Sequence, residues 1–308
     1  MSNDYLLLEK DKEKRIAWIT FNNPDKLNMV TFDEMGEFCA LLEQLENDDD
    51  VKVLVLKGAG DCFGSGGNIM MTGTETVGFS RDAKASRPSV RARLLKERAW
   101  SDISDKTGIT KLGHFMKPSV CQVHGYCYGW HLQVATGADI VVASEDALFA
   151  HPAFRYICGE APVGVWLSIM GRKRFLEMLY TGRPFTAHEM EQCGFVNRVV
   201  SKESLEAEVN ELASAIALKP IELLMIDKYF VDTISAMQHE TFAPNMVGAM
   251  AHNLSTHMKT EPTDFVVLKE TSNKGAKGAI NSLDDRYPPK YRLSYSGREK
   301  QKQPDEEE

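Results

Sequence analysis

The 308-residue chain contains no CxxC pair, no HExxH run and no GxxxxGK[ST] loop. Each absence removes a chemistry. Cysteine and histidine are never clustered at zinc-ligand spacing, so no metal is expected. The glycine-lysine loop that cradles nucleotide phosphates is missing. No apolar run approaches the ~18 residues of a membrane span. Positive charge is scarce: 36 Lys+Arg stand against 44 Asp+Glu, a formal net charge of -8. Nucleic-acid binders draw much of their affinity from neutralising phosphates. Neither nucleic acid nor membrane is therefore an expected partner. The first residues, Met1-Ser-Asn-Asp-Tyr5, lack a basic region and a cleavage site, so no signal peptide is expected. Cys39, Cys62, Cys121, Cys127, Cys158 and Cys193 mostly sit among apolar neighbours. That usage fits reduced, buried thiols in a cytoplasmic protein better than a disulfide framework.

What is present is an ordinary folding composition, 43% apolar and 26% charged. Residues 5–11 and 15–21 read as strands, and Asn22-Asn-Pro-Asp25 as a turn. Phe32, Met35, Phe38, Cys39, Leu42 and Leu45 recur at helical spacing. Val53–Leu56 reads as a buried strand running into glycine-rich Gly58–Gly67. A polar, basic stretch follows at 70–98, and Leu94 to Phe115 reads as helix. Strands are predicted at 118–123, 140–143 and 196–200, with helices at 131–137, 172–180 and 187–193. Beyond Ser201 the pattern is helical, with Leu205, Val209, Leu212, Ala213 and Ile216 on one stripe. Strands alternating with helices imply an α/β sheet covered by helices. The expected organisation is a core over 1–200, a helical assembly domain over 201–275 and a charged, mobile tail over 276–308.

An ordered series of segments resembles the crotonase (enoyl-CoA hydratase/isomerase) superfamily. The segments are Phe21-Asn-Asn-Pro-Asp-Lys-Leu-Asn28, Asp61-Cys-Phe-Gly-Ser-Gly-Gly-Asn-Ile69, Lys117-Pro-Ser-Val-Cys-Gln-Val-His-Gly-Tyr-Cys-Tyr-Gly129 and Gly137-Ala-Asp-Ile-Val-Val-Ala-Ser-Glu-Asp-Ala-Leu-Phe149. Tyr180-Thr-Gly-Arg183 through Cys193-Gly-Phe-Val-Asn-Arg-Val199 completes it. The resemblance spans about residues 5–260. It implies a spiral of repeated ββα units with a helical C-terminal trimerisation region, hence a homotrimer or dimer of trimers. It also implies an acyl-CoA substrate whose enolate is stabilised by two backbone N–H groups. No tightly bound cofactor is implied, and coenzyme A enters as part of the substrate. Carried over by position, the two donors are the N–H groups of Gly67 and Trp130. Lys26, Leu27, Ser65, Gly66, Asn68 and Gln133 would line the substrate and its CoA.

The chain departs from the family pattern where proton transfer is done. Gln133 and Ala153 occupy the positions of the two hydratase glutamates. A glutamine cannot act as a general base, so crotonyl-CoA hydration should be weak or absent. Trp130 replaces a small residue and is expected to reshape the acyl site. Three groups could supply acid–base chemistry. Glu160, in Ile157-Cys-Gly-Glu-Ala-Pro-Val163, lies one residue short of the carboxylate position of isomerase and dehalogenase relatives. His151 follows the Phe149 landmark, and an imidazole could activate water. His131 borders the second donor and could bind a substrate oxygen. His124 reads as structural, while Arg155 and Tyr156 could line the site. Seven cations from Arg81 to Arg98 could meet CoA phosphates or a carboxylated substrate. Three functions stay open: hydratase, isomerase, lyase or carbon–carbon hydrolase action on an acyl-CoA; hydrolysis of a β-diketone or ketone without CoA; and a non-catalytic binding or assembly role.

Overall fold

The computed structural model describes residues 5–67, 109–155, 163–237, 265 and 267–299. The basic stretch, Asn68, Tyr156 and Glu160 lie outside them. Strands β1 (Leu6–Asp11) and β2 (Ile16–Phe21) form an antiparallel pair. Helix α1 (Phe32–Glu46) follows the turn at 22–28. Thr31 caps it by a reciprocal box: the Glu34 N–H donates to the Thr31 hydroxyl at 3.4 Å, and the Thr31 N–H donates to the Glu34 carboxylate at 2.6 Å. Its buried stripe is Met35, Phe38, Leu42 and Leu45. β3 (Val53–Gly58), α2 (Ile109–Gly113), β4 (Ser119–Val123), β5 (Tyr126–Tyr128), α3 (Trp130–Gly137), β6 (Ile140–Ser144) and β7 (Leu148–Ala150) come next. α4 (Val163–Thr181) is broken at Gly171, whose φ of 70° no helix allows. β8 (Phe185–Thr186), α5 (Ala187–Gln192), β9 (Arg198–Val200), α6 (Leu205–Ala217), α7 (Ile221–Met237), α8 (Val267–Asp284) and α9 (Tyr295–Glu299) complete the described elements.

Six strands form one sheet in the order β1-β2-β3-β4-β6-β9, parallel from β2 onward. A smaller sheet, β5-β7-β8, stands apart from it. The pleat divides the large sheet by alternate residues. Val53 and Val55 face α6 through Leu205, Val209 and Ala213. Leu54 and Leu56 face the main core with Phe21, Phe38, Phe63 and Trp130.

Two boundaries differ from expectation. Helix α6 belongs to the core layer, because its apolar stripe is buried on the sheet. The region from 276 to 299 docks rather than forming a free tail. Tyr295 stacks on Tyr126 at 4.5 Å between centroids, and its hydroxyl donates to the Asp146 carbonyl at 2.7 Å. The Tyr128 hydroxyl donates to the Leu293 carbonyl at 2.7 Å, and Leu293 packs with Tyr128, Leu148 and Ala150. The charged composition hid three tyrosine anchors. Among the described residues no helix is long and apolar enough to cross a membrane.

Candidate active site

Three chain segments meet at the ends of β2, β3 and β5. The first is the turn at 22–28. Leu27 and Asn28 both adopt left-handed backbone, φ 53° each, which disfavours L residues. The Asn28 side chain holds this shape. Its amide donates to the Ala59 and Cys62 carbonyls at 2.9 and 2.8 Å, and its oxygen accepts the Asn23 N–H at 2.8 Å. Lys26 and Leu27 are thereby turned to the surface, and the Leu27 carbonyl accepts the Ser65 N–H at 2.9 Å. Lys26, Leu27, Ser65 and Gly66 are so gathered at one place.

The second segment is 63–67. It is laced to β5 by Phe63 N–H to His124 carbonyl, Gly64 N–H to Tyr126 carbonyl and Tyr128 N–H to Gly64 carbonyl, at 2.7, 2.8 and 2.9 Å. The Gly66 carbonyl accepts the Val30 N–H at 3.0 Å. A trans peptide sets C=O and N–H on opposite sides. The Gly67 N–H, in that same peptide, therefore points away from Val30.

The third segment is the corner from β5 into α3. Gly129 has φ 55° and ψ −120°, a conformation that only glycine adopts readily. Its N–H donates to the Ala150 carbonyl at 2.9 Å. Trp130 then opens α3, and its N–H is one that a helix cannot satisfy internally. The second and third segments touch. A Cβ on Gly66 would lie 3.0 Å from the Tyr128 carbonyl oxygen and 3.5 Å from the Trp130 nitrogen. A Cβ on Gly129 would lie 3.3 Å from the Gly66 Cα. Glycine at both positions lets the two backbones close to this distance. The result is a pair of adjacent peptides, one of them at a helix N-terminus, able to polarise a carbonyl oxygen.

The Trp130 ring corrects one expectation. It does not project into the site but packs edge-on against Phe21 and Phe38, at 5.6 and 5.4 Å between centroids. It fills core beneath the donor. His131 is also fully buried, among Phe21, Phe63 and Trp130. Its Nδ1 accepts the Gly66 N–H at 3.1 Å, and its Nε2 stands 3.2 Å from the Tyr5 hydroxyl. Burial lowers its pKa to about 3, so the ring is neutral. With both nitrogens held inside the protein, its geometry is that of a brace rather than a substrate ligand.

A further polar pair joins α3 to the residue after β7. Gln133 lies one helical turn past Trp130. β5 and β7 are parallel with Tyr128 opposite Ala150, so Gly129 and His151 both lie one residue beyond that paired row. The register brings the Gln133 amide to 3.4 Å from His151 Nε2, both residues being buried. The imidazole stacks on Phe154 at 4.6 Å, with Trp166 edge-on at 5.8 Å. The described residues thus present an amide at Gln133 with the His151 imidazole beside it.

Arg155 does not line the site, as the sequence had suggested it could. Its side chain is fully buried, pairs with Asp284 at 2.9 Å, donates to Gly182 and Tyr291 carbonyls and lies 3.9 Å over the Tyr287 ring. It fastens the C-terminal segment. His124 is structural as expected, its Nε2 lying 2.9 Å from the Gly60 carbonyl. Sequence reasoning missed Tyr5 and the bracing role of Asn28. Tyr5 stands 126 positions from His131, and no local signal links them.

The comparisons with known proteins bear on the family and the fold. The sequence model of the enoyl-CoA hydratase/isomerase family matches residues 11–266. The chain belongs to that family. It is similar to the 1,2-epoxyphenylacetyl-CoA isomerase of Escherichia coli (strain K12), 28% identical over 68% of this chain and 75% of that protein. A probable enoyl-CoA hydratase of Mycobacterium bovis is 30% identical over 65% of this chain and 67% of its own length. Among solved structures, an enoyl-CoA hydratase/isomerase from Xanthobacter autotrophicus Py2 shares the fold, with a TM-score of 0.73 at 24% identity, covering 92% of this chain and 98% of that one. The probable enoyl-CoA hydratase from Mycobacterium thermoresistibile superposes with a TM-score of 0.68 at 27% identity, over 82% of this chain and 96% of its own. The architecture is thus the family's spiral of sheet and helix, as expected from the motifs.

Proposed function

We propose that the chain acts on an acyl-CoA by enolate chemistry, with the Gly67 and Trp130 N–H groups as the oxyanion-binding pair. The observation that carries this reading is the contact of the Gly66–Gly67 and Gly129–Trp130 backbones. A base removes the proton α to the thioester. The C–H electron pair moves through the carbonyl onto oxygen, and the two N–H groups hold that charge. Return of the proton at another carbon gives isomerisation. The same oxygen takes the electron pair when water, losing a proton to the base, adds to the β carbon of a conjugated thioester, or when the bond from the α to the β carbon breaks. The α carbon then takes up a proton, giving the hydratase, lyase or hydrolase outcomes. His151, beside Gln133, is the base that the described residues favour, because an imidazole nitrogen can accept a proton where an amide cannot. Glu160 is the rival.

Acetoacetyl-CoA tests the reading, since its enolate has its own ultraviolet band. The wild-type protein should make the bound compound at least about tenfold more acidic than the free one. Gly67→Pro removes one donor, and among the described residues a Cβ there meets only the Met35 methyl, at 3.7 Å. This variant should lose most of the effect. No enolate enrichment in the wild type would sink the proposal. In a screen of acyl-CoA thioesters, His151→Ala should lower turnover by about 10²–10⁴-fold and Glu160→Gln should not. The reverse pattern moves the chemistry to the carboxylate.

A second reading, action on a β-diketone or ketone without CoA, is favoured by the His151 imidazole standing beside Gln133. Competition by free CoA separates the two. Assembly as a homotrimer or dimer of trimers fits helix α7, on which Leu223, Ile226, Phe230, Val231 and Ile234 are all exposed in the single chain.

A further inference from the structure

The proposed function uses two backbone donors and leaves a fully buried histidine beside them without a task. We infer that His131 is a positioning residue, whose ring locks the Gly66–Gly67 backbone to the start of α3 and so fixes the separation and aim of the two N–H groups. The inference rests on the reading of Gly67 and Trp130 as donors.

The hydrogen-bond directions are determined. A backbone N–H can only donate, so His131 Nδ1 must accept from Gly66. In a neutral ring the proton is then on Nε2. That N–H points at the Tyr5 hydroxyl, 3.2 Å away, and the hydroxyl in turn donates to the Asn28 carbonyl at 2.8 Å. Every donor in the series has an acceptor. The series ties the residue just before β1, the turn at 22–28, the glycine loop and α3 through one imidazole. Its two ends bear on the donor geometry directly. Gly66 contributes the carbonyl half of the peptide that carries the Gly67 N–H, and His131 follows Trp130 in the chain. Protonation of Nδ1 would set two hydrogens against each other at Gly66.

Packing makes the brace stiff. A Cβ on Gly64 would fall 2.2–2.4 Å from three atoms of the imidazole, so the ring lies flat against the glycine loop. Phe21 and Phe63 close on it edge-on at 5.0 and 5.8 Å. No path to substrate is needed for this role, and the ring makes contact with none of the reacting atoms.

Three substitutions separate positioning from simple core filling. His131→Asn keeps an acceptor near the Nδ1 position. His131→Gln reaches the Nε2 position and keeps only the Tyr5 contact. His131→Leu keeps volume and neither bond. With acetoacetyl-CoA as probe, the Leu and Gln variants should lose about threefold of the bound compound's acidity, less than deletion of a whole donor. The Asn variant should recover most of it, and binding of free CoA should be unaltered in all three. Nitrogen-15 spectra of the wild-type imidazole should show the Nε2-protonated tautomer, unchanged between pH 5 and 9. Equal acidity in all variants, or equal loss in Asn and Leu, would overturn the inference, as would an Nδ1-protonated or titrating ring. If the wild type itself fails to enrich the enolate, the underlying function fails first, and the inference with it. Tyr5→Phe provides the variant least disposed to misfold, and it should show a smaller loss of the same sign.

Discussion

The glycine corner and helix α7 are built on opposite terms. At the corner, Phe63, Gly64, Ser65, Gly66, Tyr128 and Gly129 each spend their N–H on a named partner within the chain. Asn28 and His131, both buried, complete the polar pairing. On α7, by contrast, Ile226, Phe230 and Val231 are 64%, 63% and 58% exposed. The corner is closed by its own hydrogen bonds, while the helix offers apolar surface that is exposed among the described residues. A site that must aim two N–H groups gains from internal closure, because a preorganised donor needs no rearrangement when charge develops. The assembly we propose for α7 would gain from a face left open. Substitutions in the two regions should therefore fail differently: in stability at the corner, in mass at the helix.

The largest loss of stability is expected at the clamp behind the corner. Arg155→Ala leaves Asp284, 9% exposed, without its guanidinium. Breaking a buried pair from one side typically costs about 3–5 kcal/mol. Urea denaturation should show it, and an unchanged midpoint would mean that the C-terminal segment contributes little to the fold. Gly64→Ala tests the corner itself. The added methyl collides with the His131 ring, and overpacking of this kind costs about 1–3 kcal/mol. The same variant should weaken acetoacetyl-CoA enolisation, coupling stability to function as the open helix would not.

The next effect is on pH dependence. Burial lowers the His131 pKa in the folded chain from 6.5 to about 3. Below 6.5 the unfolded chain takes up a proton that the folded one refuses. The stabilisation is thus complete above about pH 6.5 and is lost as pH falls toward 3. The slope is up to about 1.4 kcal/mol per pH unit. His131→Asn should flatten that slope in denaturation curves taken from pH 7 to 4. The ring's titratable neighbours, the Tyr5 hydroxyl and the Cys127 thiol, are pushed upward by burial and stay protonated through this range.

The smallest intrinsic effect should come from Phe230→Asp together with Ile226→Asp. Exposed side chains far from buried networks usually change stability by about 0.5 kcal/mol or less each. Solution mass should nevertheless fall from a trimer or its multiple to 34.5 kDa. A wild type that already runs at that mass would break the comparison, since the helix face would then need no partner.

The sequence by itself determined the local pieces. The apolar spacing of Met35, Phe38, Leu42 and Leu45 set the buried face of α1, and Thr31 with Glu34 set its start. The glycines at 64, 66, 67 and 129 marked where backbone could come close, and the ordered motifs led to the family. The part of α4 ahead of Gly171 was not legible: the pattern placed a helix only at 172–180, after the residue whose backbone angle breaks α4. Nor was the docking of 284–299, which depends on Tyr126, Tyr128, Tyr295 and Arg155 meeting across long separations. The histidines show the division most clearly. Both His131 and His151 carry the same imidazole, and sequence could only place each near a landmark. The β5–β7 register set one beside Gln133, while Tyr5 and Gly66 enclosed the other. Side-chain chemistry is local and can be read along a chain. Protonation state and reach depend on what lies across the fold, and only the tertiary structure brings those partners together.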